Sequence, residues 1–103
     1  MSDRFYSTLS LCMRVGKLTF GIDTVTEAVK DGKVFLLLTA CDSSEKTVKE
    51  VRFLAEKHDI PFLPLDRTKQ QLRATIGKLT GVLGITDAGL AASLIKAESS
   101  SDT

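Results

Sequence analysis

Apolar residues recur at helical spacing at Phe5, Leu9, Cys12 and Met13, which predicts a first helix closed by Gly16. Residues 17–20 follow as a short strand. Ile22, Val25, Ala28 and Val29 then mark the inner face of a second helix over residues 21–31. The run Val34-Phe35-Leu36-Leu37-Leu38 is apolar on both faces, the pattern of a central strand covered on each side by helices. Asp42 with Glu45 three residues on predicts a capping-box start for a third helix, whose buried stripe is Val48, Val51, Leu54 and Ala55. Residues 60–65 form a strand that Pro61 and Pro64 assign to a sheet edge or a strand end. Thr68 and Gln71 cap a fourth helix running through Leu72 and Ile76 to Gly77. A last strand spans residues 81–86, and Leu90, Ala91, Leu94 and Ile95 define a final helix. Strict alternation of helix and strand predicts an α/β chain, a three-layer α/β/α sandwich on a four-stranded mixed sheet.

A chain of 103 residues, 43% hydrophobic and 26% charged, can bury one core without staples, so a single domain is expected over residues 1–97. The last six residues, from Glu98 to Thr103, hold only acids and polar residues and read as a solvated, flexible tail. No apolar run is long enough to span a bilayer, and the opening MSDRFYS lacks the blocks of a signal peptide. Cys12 and Cys41 stand far apart without a second pair, which excludes a zinc knuckle and a redox CxxC. Two reduced, buried thiols are the simpler expectation, and together these features fit the cytoplasm.

Basic and acidic residues nearly cancel, 14 Lys and Arg against 13 Asp and Glu, so the distribution says more than the sum. Between residues 67 and 78 the chain carries Arg67, Lys69, Arg73 and Lys78 and no acid. Such a run serves phosphate contacts or plain solubility. The short string Gly16-Lys17-Leu18-Thr19 returns as Gly77-Lys78-Leu79-Thr80, but no repeat unit accompanies it.

Catalytic chemistry has little to stand on. His58, the single histidine, falls in the polar end of the third helix, and Asp42 and Glu45 read as caps rather than an acid/base pair. No His, Cys, Asp and Glu cluster has metal-ligand spacing, and no cofactor motif is present. Gly16 and Gly21 have the spacing of a phosphate loop, but Ile22 and Asp23 stand where Lys and Ser or Thr are required. A nucleotide hydrolase is therefore rejected and no enzyme is expected. What remains is Gly21 at the mouth of a helix, preceded by the positive turn Arg14, Gly16 and Lys17. A glycine there exposes backbone N–H groups and lets a large anion approach.

The ordered set Arg14-Val15-Gly16-Lys17, Gly21 opening a helix, Ala28-Val29-Lys30-Asp31-Gly32 and VFLLLTACD is similar to one known family. So are Ile60-Pro61, the segment from Gln71 to Gly77, and Ile85-Thr86-Asp87-Ala88-Gly89-Leu90. Over residues 9–95 the chain resembles the kink-turn RNA-binding ribosomal-protein family, the L-seven-Ae / L-thirty-e group, and within it the small bacterial YlxQ-type proteins. The resemblance implies an α/β/α sandwich that binds bent RNA through the start of its second helix and the loop before its last strand. Gly21, Asp23, Thr24 and Glu27 would form one wall of that site. Gly77, Lys78, Leu79, Thr80, Gly81 and Val82 would form the other, with Leu79 and Val82 covering an extruded base. Phosphate contacts would fall to Lys17 and Lys78, joined by Arg14, Lys30 and Lys33.

Where kink-turn binders carry Asn, Glu and Lys after the glycine, this chain has Asp23, Thr24 and Glu27. An ionised aspartate only accepts hydrogen bonds, and Glu27 places a repulsive charge where a phosphate partner is expected. The acids also suit a helix N-terminus, and Thr24 with Glu27 reads as a capping box. The expected function is non-catalytic binding of structured RNA, ribosomal in origin, with ribosomal proteins as further partners and neither DNA nor a membrane involved. The alternative is a protein-interaction adaptor on the same fold.

Overall fold

A computed structural model describes residues 4–99 of the chain. Of the expected tail, residues 100–103 lie outside the described residues. Nine elements alternate as the sequence pattern requires: α1 (Arg4–Arg14), β1 (Leu18–Phe20), α2 (Ile22–Lys30), β2 (Leu36–Thr39) and α3 (Glu45–His58), then β3 (Phe62–Pro64), α4 (Lys69–Ile76), β4 (Val82–Ile85) and α5 (Ala88–Ser99). The strands form one mixed sheet in the order β1-β4-β2-β3. β4 runs antiparallel to both β1 and β2, whereas β2 and β3 are parallel.

Side chains alternate across this sheet and build two cores. Leu36, Leu38, Leu83 and Ile85 face α1, α4 and α5, meeting Phe5, Leu9, Leu72 and Leu94. Leu37 and Val82 face the other way and pack with Val25 and Val29 of α2 and Val51 and Ala55 of α3. Helices on both faces complete the three-layer sandwich. Gly84 of β4 permits the close seat of α2, because a Cβ there would stand 3.0 Å from Thr19 Cγ2 and 3.4 Å from Val25 Cγ1.

Several local expectations change in the structure. Helix α3 is capped by Ser44, whose hydroxyl accepts from the Thr47 amide at 3.1 Å. Asp42 instead accepts from the Lys69 amide at 2.9 Å, fastening the start of α4 to the turn after β2. Thr24 and Glu27 form no capping box: Gly21 is the N-cap of α2 and offers no side-chain bond. The Thr68 and Gln71 capping box on α4 is present in full. Phe35 precedes β2 and is 45% exposed rather than buried in a central strand. Cys12 is buried as expected, but Cys41 is exposed. Glu98 belongs to α5 and not to a tail, since it pairs with Arg67, and that pairing withdraws Arg67 from the basic run.

β3 is an edge strand, and the prolines explain why it tolerates that place. The Leu65 amide donates inward to Thr39, so by alternation the missing amide of Pro64 falls on the outer side.

Candidate functional site

The chain leaves β1 at Phe20 and turns into α2 at Gly21, whose φ of 88° and ψ of 136° suit glycine alone. The Gly21 amide donates to the Val82 carbonyl at 3.1 Å. That bond joins the start of α2 to the first residue of β4, so the two expected walls stand side by side at one pole of the sheet. Asp23, Thr24 and Glu27 are exposed on the first two turns of α2.

The second wall is a return loop. Helix α4 ends at Gly77 in the left-handed conformation, its amide bonded to Arg73. Lys78 and Leu79 follow, both exposed, Leu79 by 57%. Thr80 is buried, and its hydroxyl donates to the Val82 carbonyl at 3.1 Å, which stiffens the approach to β4. Gly81 accepts from the Ser43 hydroxyl at 2.9 Å and from the Ala40 amide at 3.0 Å. A Cβ on Gly81 would collide with that Ser43 hydroxyl, so the close approach needs glycine. Val82 is buried in the core beneath α2 and α3, which leaves Leu79 as the exposed apolar residue of this loop.

Beside the second wall lies a groove of about 290 Å³, lined by Leu79, Gly81 and Val82, by Ile22 at the head of α2, and by Ser43, Ser44, Thr47 and Lys69; Gly21, Asp23, Thr24 and Glu27 do not line it. Sequence reading missed the three hydroxyl residues and Lys69 as members of this site. Only the Asp42–Glu45 capping signal marked that turn, and it was assigned to helix geometry.

The remaining cations separate from the site. Lys17 precedes β1 and its carbonyl accepts from Thr86, beyond the far end of β4. Arg14 ends α1 beside it, Lys30 ends α2, and Lys33 follows in the turn whose amide bonds to Ala28. From Ile22 to Lys30, eight steps of helix span about 12 Å. Arg14, Lys17, Lys30 and Lys33 thus occupy the opposite pole, away from Gly21 and Val82. Of the bases, Lys69 lines the groove and Lys78 stands next to its Leu79.

Among the described residues no group of His, Cys, Asp and Glu is placed to hold a metal ion. No helix among them is long and apolar enough to cross a membrane.

Residues 3–95 match the model of the ribosomal protein L7Ae/L30e/S12e/Gadd45 family. The chain belongs to this family. Its L7Ae-type relatives include the RNA-binding protein YlxQ of Enterococcus faecium, 31% identical over 83 residues that cover 81% of this chain and 80% of that protein. The YlxQ protein of Bacillus subtilis (strain 168) is 28% identical over 96 residues, covering 88% of this chain and 91% of its own length. Among solved structures, a Bacillus halodurans protein of unknown function superposes with a TM-score of 0.89 at 28% identity, covering 95% of this chain and 99% of that one. The Giardia lamblia 15.5kD RNA binding protein superposes with a TM-score of 0.77 at 18% identity, over 93% of this chain and 86% of its own; that likeness is one of fold.

Proposed function

We propose that this protein binds structured RNA without catalysing a reaction on it, and that it does so on or beside the cytoplasmic ribosome. The observation that carries this reading is the Gly21–Val82 bond, which sets a bare helix mouth against an exposed loop in a chain whose relatives include RNA-binding proteins. Backbone N–H groups at the start of α2 have no side-chain cap and suit a phosphate or a base edge. Leu79 offers an apolar platform for an unstacked base, Lys69 supplies charge within the groove, and the exposed Lys78 supplies it from the neighbouring position of the loop. Lys69 joins Lys78 in the phosphate role, in place of the distant Lys17, Arg14, Lys30 and Lys33.

Asp23 and Glu27 give the first wall a negative face, and this favours a second reading, an adaptor whose partner at this pole is a ribosomal protein with basic residues. Fluorescence anisotropy over a salt series, with a kink-turn stem, a straightened stem and a ribosomal RNA fragment, separates the two. Salt-sensitive binding to bent or ribosomal RNA supports the first reading. No binding to any of the three RNAs, with capture of a ribosomal protein, supports the second.

A further inference from the structure

The opposite pole is not a featureless end of the sandwich. The Phe35 amide donates to Ile85, and the Thr86 amide donates to Lys17, so Phe35 and Lys17 flank the exit of β4 from either side. Two strand spacings, about 10 Å, separate them. Phe35 lines a second groove of about 280 Å³, walled by Gly32, Val34, His58 and Pro61. His58 is exposed there, and Phe35 is an aromatic ring left open to solvent beside it.

At the same pole stand Arg14, Lys17, Lys30 and Lys33, all exposed. The acids of the same pole are Asp31 and Asp59, together with Asp87, whose carboxylate is engaged by the Leu90 amide at 2.8 Å. On the last turn of α3, Glu56 and Lys57 offset one another. Arg14, Lys17, Lys30 and Lys33 thus exceed Asp31, Asp59 and Asp87 here by one.

We infer that this opposite pole is a second RNA contact, which takes a single-stranded segment by stacking an unpaired base on Phe35 and holding its phosphates with Lys17 and Lys33. The inference rests on the RNA-binding reading but concerns a different surface. A flat ring beside a cationic rim recognises unpaired bases, because in a duplex the base faces are stacked away. A single strand can lay one base on Phe35 in the groove that His58 also lines. Cooperation of the two poles would let one protein hold a bent stem and a flanking single strand.

The test compares wild type, Lys17→Glu with Lys33→Glu, Phe35→Ala and Lys78→Glu by anisotropy. The probes are a short fluorescein-labelled oligouridylate and the bent stem. The pole variants should lose about tenfold more affinity for oligouridylate than for the stem, and Lys78→Glu should show the reverse preference. The milder Lys17→Gln with Lys33→Gln pair guards against misfolding, with circular dichroism as the control. Pole variants that bind oligouridylate as wild type does overturn the inference. So does a wild-type protein that binds the stem but no single strand, an outcome that leaves the proposed function standing. If neither RNA binds, both readings fall. A dimer in size-exclusion chromatography that Phe35→Ala dissociates would reassign the pole to self-association.

Discussion

The Nη1 nitrogen of Arg67 reaches both carboxylate oxygens of Glu98, at 2.8 and 2.9 Å, across 31 positions of sequence. The same guanidinium lies 4.2 Å from the centroid of the Phe5 ring and 4.9 Å from that of Tyr6. One side chain thus ties the entry of α4 to the first and last helices. Both partners are largely shielded, with side-chain exposures of 12% and 15%. Removing one therefore costs more than at a surface pair. Glu98→Ala should destabilise by about 2 kcal/mol, between the surface and fully buried limits. Urea denaturation reads this directly. An unchanged midpoint would show that Glu98 is not what holds Arg67 in place.

Gly21→Ala tests the helix mouth. No atom lies within 4 Å of the added Cβ, so the whole cost is the backbone at φ +88°. A loss of about 1–3 kcal/mol is expected, with weaker RNA binding as the start of α2 shifts. Full stability with full affinity would remove Gly21 from the site.

Charge placed on the two walls should act in opposite directions. Asp23→Asn with Glu27→Lys should strengthen binding to a kink-turn stem, because both residues are exposed on the face of α2 that follows Gly21. Lys78→Glu should weaken it and lower the slope of log affinity against log salt by about one. Affinities that stay put would detach the corresponding wall from RNA.

The two thiols should differ in reactivity. Burial, aided by the nearby Asp87 carboxylate, pushes the Cys12 thiol above its ordinary value of 9.0, while Cys41 is exposed. A thiol-reactive dye should label one cysteine quickly in the folded protein and both in denaturant. Above pH 9.0 the unfolded thiol ionises while the buried one stays protonated, so stability should fall as pH rises from there. The difference between wild type and Cys12→Ala across pH 8 to 11 isolates that effect.

Element order and layer arrangement were legible in the sequence because each rests on a local period or a local cap. Thr68 with Gln71 fixes the start of α4 within four residues, and β3 carries its own edge signal in Pro64, with Pro61 just before it. What was not legible depends on pairings distant in sequence. Arg67 reads as one of a row of cations until α5 brings Glu98 against it. Asp42 reads as a helix cap until α4 presents the Lys69 amide. For the same reason the candidate site was half visible. Gly21 and the loop before β4 stand out by their glycines, but which lysines join them is decided by strand direction. The antiparallel β1–β4 pair sends Lys17 to the far end of the sheet.

The proline at the outer rim of β3 bears on the fate of the sheet itself. A free strand edge invites a second chain to extend the ladder, the first step toward fibrous aggregates. Here one rim offers a strand of three residues whose outward amide row is broken at Pro64, and the other offers only the three residues of β1. Neither gives an incoming strand enough consecutive partners to nucleate. The sheet is closed to growth at both margins, so the fold meets its own kind without joining it.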